Sequence, residues 1–543
     1  MIPGGANTFL LAAGGAEAGL EIPRSLRLNR ADAPSLYRTT AFTPSNGQRL
    51  TVSFWIKRSE LCVSNNSQRA YVYYNGNSVG TGTLFLLEFN NDKLAIWLDG
   101  TSYSLLTNAL FVDTTAWMHV LVSLNSPESI ASDRLKIFIN GTRLTSFSTQ
   151  NYPNSFYTYA FMPGNEIWIT DKLNQNRQSG CYLADYYFID GQALLPDSFA
   201  ETLDNVFSPK AYTGTYGSNG FHLDFGNNSS ATSFGIGQDV SPNGNHFDLV
   251  NISVSAGEGD DSLTDTPTSY GIDAGVGGSV RGNFSTINAF YKGTAVVPSS
   301  GNLDIHMLPA DPNTRGYSTL GMSSGKWYCE FTHTSGTTNE VLGLASASAG
   351  LAQYPGYDST SWGYEPSTGL KYTGGMGSTY ADSMPGMVAY SLLFNADTGV
   401  LSFFKDGTDL GAAFTGLTAG PYFFAIGNAG EFSGSFNFGQ RPFSFTPPSG
   451  YKSLCTQNMS AGSVVTGGSF NGTGTTSGPY IYLNGVPDAL TINGNSVTWG
   501  VHANRYASGF RVITSAMQYN NPGINGYSVT AGSVLKKARA QVN

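Results

Sequence analysis

An all-β chain of tandem antiparallel β-sandwiches is what this sequence predicts, and three observations predict it. The first is Leu135 to Leu144, LKIFINGTRL, which alternates apolar and polar residues, breaks at Asn140-Gly141 and alternates again. Asn-Gly accepts the positive φ that a two-residue type I′ turn needs at both central positions, so the stretch reads as a hairpin of fixed register. The same device recurs in Leu401 to Leu410 (LSFFKDGTDL) and in Tyr480 to Val486 (YIYLNGV), each inside a separate run of short strands. The second observation is composition: 66 Gly and 13% aromatic residues stand against 12% charged residues, where about a quarter charged is usual. Turns take Gly and Asn while strand faces take Tyr, Phe and Val, so short strands joined by tight turns fit this balance. The third is length, because 543 residues exceed one core and suffice for three or more.

Taken in order, residues 1–24 form a Gly/Ala-rich stretch with one short apolar run from Phe9 to Ala13. It reads as an arm that gains order by docking on another protein, anchored by Ile2, Pro3, Phe9, Leu10 and Leu11; a flexible remnant is the plain alternative. The run lacks a basic start and the length of a signal peptide or a bilayer span, so neither export by that route nor membrane insertion is expected. Residues 25–207 alternate throughout: Arg49 to Lys57, Gly82 to Phe89, Lys93 to Leu98, Trp117 to Leu124 and Tyr182 to Asp190 each carry one apolar face. Two sheets packed face to face need that pattern.

Residues 208–282 are richer in turn formers, yet Gly220 to Phe225 and Phe247 to Val254 look like strands, which suits an ordered connector that leans on its neighbours. Residues 283–455 resume alternation around the second hairpin. Residues 456–543 open with Gly/Ser/Thr-rich sequence and then alternate through Tyr480 to Leu483, Ala489 to Ile492, Ser496 to Val501 and Phe510 to Thr514, a small third β unit.

Three stretches carry resemblances. Val52-Ser53-Phe54-Trp55-Ile56, Trp117-Met118-His119-Val120, Ile137-Phe138-Ile139-Asn140-Gly141 and Leu183-Ala184-Asp185-Tyr186 resemble the LamG-like, concanavalin-type jelly roll. Gly325-Lys326-Trp327-Tyr328-Cys329-Glu330-Phe331, Leu342-Gly343-Leu344-Ala345 and Phe436-Asn437-Phe438-Gly439-Gln440 resemble a SPRY β-sandwich. Pro209-Lys210-Ala211-Tyr212-Thr213-Gly214 and Phe221-His222-Leu223-Asp224-Phe225 resemble the connector between such modules in proteins of tailed bacteriophages. The combination implies a structural virion protein, a tail fibre or spike that contacts host surface glycans by binding without turnover. A capsid decoration or head fibre would use the same modules and arm, and a glycan-degrading tailspike is the enzymatic alternative. Localisation in the virion, partners among other virion proteins through the arm, a host surface polysaccharide or glycoprotein as ligand, and a homotrimer by analogy with phage fibres follow as expectations.

The residues themselves narrow the chemistry. A net charge of −9 with no basic cluster beyond Lys536, Lys537 and Arg539 argues against nucleic acid. Four widely separated cysteines, Cys62, Cys181, Cys329 and Cys455, form no C-x-x-C pair and read as four buried thiols. Glycoside hydrolysis needs two carboxyl groups about 5 to 9.5 Å apart on one face. The chain offers Glu258 and Asp260 in a Gly-rich connector, and Asp185 with Asp190 at an odd spacing that sends them to opposite faces of a strand. The six histidines are scattered, and His119 reads as a sheet residue. No cofactor is expected; structural calcium, which the LamG-like resemblance implies, would draw on Asp99, Asp113, Asp185 and Asp190.

Binding residues are expected among aromatic clusters, since a ring stacks on a sugar's apolar face while Asn, Asp or Gln bond its hydroxyls. The candidates are Tyr354, Tyr357, Trp362, Tyr364, Tyr372 and Tyr380 in the second unit. In the first unit they are Tyr73 and Asn75, beside Tyr71, Tyr74 and Asn77.

Overall fold

The computed structural model describes residues 20–459 except 40–43, 63–66, 75–82, 99–102, 159–165, 171–177, 204–205, 290, 310–313, 338, 347, 384–385, 387–388, 419 and 429. Beyond 459 it describes the backbone of seven strands between Val465 and Val542. The longest helix among the described residues is the single turn Ala131–Arg134, and the chain is a series of antiparallel sheets.

The first sandwich pairs two eight-stranded sheets. One runs Thr142–Arg143, Leu135–Ile139, Met118–Asn125, Arg49–Arg58, Cys181–Asp190, Ser25–Leu28 and Ser262–Leu263, with Phe221–Leu223 also paired to Cys181–Asp190. The other runs Phe147–Gln150, Tyr103–Leu110, Lys93–Leu98, Thr83–Asn90, Ser67–Tyr74, Glu166–Thr170, Ser35–Thr39 and Asp248–Val250. Alternation dictates which side chains meet between them: Val52, Phe54, Leu87, Ile96, Val122 and Ile167 are buried in one core. Three of these strands, Phe221–Leu223, Asp248–Val250 and Ser262–Leu263, come from residues 208–282, so the connector is built into the first sandwich.

The hairpin Leu135–Leu144 turns where its sequence says it should. Asn140 and Gly141 have φ of 45° and 75°, and Thr142 and Arg143 pair back on Ile139 and Phe138. Gly141 is required twice over, because a Cβ there would lie 2.6 Å from the Phe207 ring that packs on the turn. Asp406 and Gly407, with φ of 46° and 78°, close the second hairpin in the same way. The third turn, Asn484-Gly485, lies outside the described residues. Tyr480–Tyr482 before it pairs with Arg539–Val542, while Ala489–Ile492 after it pairs with Asn495–Thr498 and Ile524–Thr530.

The second sandwich pairs an eight-stranded sheet centred on Lys326–Gly336 with a six-stranded sheet. The smaller sheet runs Thr314–Tyr317, Tyr422–Asn428, Glu340–Ser346, Ser361–Glu365, Leu370–Thr373 and Met376–Thr379. The larger sheet ends on Thr408–Phe414, whose free edge would invite pairing with another chain. Two side chains cap that edge: Lys371 Nζ donates to the Ala413 carbonyl at 2.6 Å and the Tyr380 hydroxyl to the Gly411 carbonyl at 2.6 Å. Replacing them together as Lys371→Met and Tyr380→Phe is expected to leave the fold intact, at about 1 kcal/mol per lost bond, and to raise self-association. Time-resolved light scattering reads the effect; scattering equal to that of the unaltered protein would contradict the capping role.

The two sandwiches do not hang on a free linker. Trp55, Trp117, Tyr182, Ala184 and Leu263 of the first share one buried cluster with Ile287, Leu303 and Ile305 of the second. Beside that cluster Lys57 Nζ, fully enclosed, donates to Asp265 Oδ2 at 2.7 Å, Asn283 Oδ1 at 2.7 Å and the Phe284 carbonyl at 3.1 Å. Trp117 Nε1 donates to the other Asp265 oxygen at 2.9 Å, and Tyr182 donates to the Gly301 carbonyl at 2.7 Å. Arg27 reaches from the first sandwich to Asp261 and to the Ser300 carbonyl. Leu20 to Arg24, expected as the end of an arm docking on another protein, belong to this frame. Ile22 is buried, its N–H donates to Thr268 Oγ1, and Leu20 N–H donates to the Pro209 carbonyl. The anchoring side chains expected at Ile2, Pro3, Phe9, Leu10 and Leu11 lie outside the described residues.

Three cysteines are buried and all four are free thiols, but Cys62 is half-buried, a correction to the expectation of four enclosed thiols. It sits just past the end of strand Arg49–Arg58, where enclosure by the sheets runs out.

Candidate aromatic binding surface

Arg315 organises the surface that the second unit presents. Its side chain is fully enclosed in strand Thr314–Tyr317, where an unpaired guanidinium would be costly, so the loop 353–361 wraps around it. Arg315 Nε donates to the Gln353 carbonyl at 2.9 Å. Its Nη2 donates to the Tyr354 carbonyl at 2.8 Å, to Asp358 Oδ2 at 2.9 Å and to Ser361 Oγ at 3.1 Å. Burial works against ionisation of Asp358, but hydrogen bonds from Thr360 and the Arg315 guanidinium together hold its carboxyl below the ordinary value. The loop lies on the sheet because Gly363 and Gly356 leave room: a Cβ on the first would meet the Pro355 carbonyl at 2.0 Å, and on the second the Tyr372 carbonyl at 2.3 Å.

Of the six aromatic residues expected to bind, three come together here. The Tyr354 ring meets Tyr357 at 5.6 Å and Tyr372 at 5.7 Å, both edge to face. Tyr357 is 48% exposed, and the Tyr372 hydroxyl donates to Glu365 Oε2 at 2.8 Å. The other three are corrected. In Ser361–Glu365, alternation sends Trp362 and Tyr364 into the core and leaves Gly363 on the outer face opposite Tyr372. Tyr364 is fully buried against Phe403 and Tyr380, Trp362 packs edge-on against Tyr422, and Tyr380 is half-buried and spent on the edge cap.

In the first unit Tyr73 lies in strand Ser67–Tyr74, registered with Ile167 and Phe85, both core residues. Asn75 lies outside the described residues. The aromatic feature that the structure adds is a register row across the second sheet: Tyr37, Trp168, Val72, Leu86 and Trp97 are successive cross-strand partners. Tyr37 stacks on Trp168 at 4.7 Å; Trp168 Nε1 donates to Glu166 and Trp97 Nε1 to Glu88, each at 3.1 Å. The signal was present in the sequence. Trp97 and Trp168 fall on the phase opposite to Ile96 and Ile167, where a polar residue is usual.

Three of the carboxylates weighed for catalysis or calcium, Asp185, Asp190 and Asp113, are engaged elsewhere. Asp185 sits at a β-bulge with φ of 50° and pairs with His222 Nε2 at 2.7 Å. One Asp190 oxygen accepts the N–H groups of Ser45 and Asn219, and one Asp113 oxygen accepts the N–H and hydroxyl of Thr115. Asp99 lies outside the described residues, and the other three do not gather into an oxygen cage. No group of three His, Cys, Asp or Glu that could hold a metal occurs among the described residues. His119 is enclosed in its sheet, and burial lowers its pKa to about 3, so it is uncharged at neutral pH.

Two stretches of the chain match known families. Residues 34–174 match the concanavalin A-like lectin/glucanases superfamily, and residues 326–441 match the SPRY domain. The chain joins a concanavalin A-like domain to a SPRY domain. Over 28% of its length it is similar to the SPRY domain of human HERC1, at 14% identity and a TM-score of 0.24, covering 94% of that chain. It is similar over 28% of its length to the TRIM65 PSpry domain, at 13% identity and a TM-score of 0.26, covering 92% of that chain. Stonustoxin is similar at 16% identity and a TM-score of 0.25, over 28% of this chain and 27% of that one. No curated protein sequence matches. The Tyr354, Tyr357 and Tyr372 cluster lies on the outer face of the six-stranded sheet of the SPRY domain.

Proposed function

We propose that this chain is a non-catalytic binding protein whose SPRY domain grips host surface glycans through Tyr354, Tyr357 and Tyr372. The observation that carries the reading is the trio of rings formed by Tyr354 and Tyr357, on a loop held by Arg315, and Tyr372 in the adjoining strand Leu370–Thr373. A ring stacks on the apolar face of a sugar, Glu365 beside Tyr372 accepts from its hydroxyls, and a rigid sheet holds the group in place. The negative charge of Glu365 favours neutral sugars over anionic ones. Placement in a phage virion as a tail fibre or spike rests on the sequence resemblance of the connector and is part of the same proposal. Repeated copies on one particle would raise weak single-site affinity through avidity.

Affinity electrophoresis in gels cast with host polysaccharide tests the binding. Tyr354→Ala with Tyr357→Ala is expected to reduce retardation at least about tenfold, since each stacked ring contributes about 1 kcal/mol or more, while the melting temperature moves little. Equal retardation would remove the site. Shortened polysaccharide chains after incubation would overturn the non-catalytic assignment.

A further inference from the structure

His333 and Glu340 are both fully enclosed between the sheets of the SPRY domain. They face inward because they continue the buried phases of Phe331 in one strand and Leu342 and Leu344 in the other. His333 Nδ1 lies 3.3 Å from Glu340 Oε2, and neither imidazole nitrogen nor either carboxyl oxygen is hydrogen-bonded to any other residue. The imidazole lies nearly parallel to the Phe432 ring at 6.0 Å. The Tyr364 hydroxyl is also buried without a partner, and Tyr390 feels both Glu340 and Tyr364 through space. Glu365 acts on Glu340, and Asp406 on Tyr390. Over this end of the core lies the turn after Gly336. There the Thr337 N–H and hydroxyl donate to the Glu431 carbonyl at 2.8 and 2.9 Å, and the Glu431 carboxylate faces His306 at 3.7 Å.

We propose that His333 and Glu340 form a one-proton latch that closes this end of the SPRY core in weakly acid solution and loosens it as the solution turns alkaline. A charge enclosed here without a counter-charge would be costly, so the pair stays neutral as a unit, and every neutral arrangement of an imidazole and a carboxyl holds one titratable proton. The sign follows from linkage. In the unfolded chain the two groups bind two protons below about pH 4.3, one between about 4.3 and 6.5, and none above. The folded pair holds one throughout. Its contribution is therefore greatest between about pH 4.3 and 6.5 and falls on either side, by about tenfold in the unfolding constant per pH unit. Burial, the largest influence on Glu340, holds its carboxyl above the ordinary range, with its own backbone N–H and then His333 pulling the other way. A raised carboxyl is stabilising at low pH and loses that stability as pH rises through its folded value, the same direction as the alkaline flank.

Urea denaturation of the full chain from pH 4 to 9, followed by hydrogen exchange in Lys326–Gly336, tests the latch against two variants. The first, His333→Leu with Glu340→Met, replaces the pair by apolar side chains. The ratio of its unfolding constant to that of the unaltered protein should fall about tenfold per pH unit above about 6.5. The second, Glu340→Gln, keeps the shape and should start less stable near pH 6, with the gap closing at the same rate above it. A ratio independent of pH in whichever variant folds would overturn the proposal.

Discussion

Replacing Lys57 by Met is expected to destabilise the protein by about 3 to 5 kcal/mol, the cost of breaking a buried ion pair by removing one partner. Lys57 and Asp265 have side chains 1% and 0% exposed. Without the ammonium, the Asp265 carboxylate would keep the Trp117 indole as a donor and lose its counter-charge. Asp265 already has its carboxyl pushed up by burial, with Lys57 acting against that push, so the variant drives it further toward the protonated form. Asn283 Oδ1 and the Phe284 carbonyl lose their donor at the same time. Pairing Lys57→Met with Asp265→Leu should recover much of the loss, because two apolar side chains leave no charge in the seam. Urea unfolding of the single and double variants gives both numbers, and a single variant within about 1 kcal/mol of the parent would show that the pair does not hold the seam.

Arg315→Met is the second large effect, at about 3 kcal/mol, since it removes the donor from part-buried carbonyls at Gln353 and Tyr354 and leaves Asp358 without its cation. It also tests how the binding surface is made. Arg315 touches no ligand; it positions Tyr354 and Tyr357 by gripping the loop on either side of them, at the Gln353 and Tyr354 carbonyls and the Asp358 side chain. Glycan retardation should therefore fall as far as in the Tyr354→Ala, Tyr357→Ala variant, with all three rings still present. Asp358 adds a pH sign. Its carboxyl is held low in the folded state, so its contribution is present above the ordinary carboxylate value and is lost as pH falls through the lowered one. Glycan binding measured from pH 6 downward should weaken in acid before the protein unfolds. Retained binding in Arg315→Met would separate the loop's shape from its function.

Local chemistry made much of the fold legible. Asn140-Gly141 and Asp406-Gly407 announce their turns because two consecutive positive φ values leave few residue choices, and strict alternation then fixes which faces pack. What alternation could not show is how units meet. Lys57 looks like an ordinary polar end to an amphipathic strand until Asp265, 208 residues away, closes over it. Short strands such as Ser262–Leu263 carry too few residues to show a period, so their membership in the first sandwich depends on tertiary pairing. The aromatic residues divide on a rule that was available: Trp362 and Tyr364, two apart, share a face, and a Gly between them marks the other. Tyr354 and Tyr357 lie in a loop, where no period applies, and their meeting with Tyr372 depends on a buried arginine that sequence spacing does not reveal.

Hydrogen exchange across a urea transition tests most directly whether the two sandwiches are one frame. Strands Arg49–Arg58 and Lys326–Gly336 sit at the centre of different domains, and the shared cluster with its Lys57–Asp265 pair predicts that both lose protection at the same urea concentration. Full exchange in the first strand while the second stays protected would contradict the account.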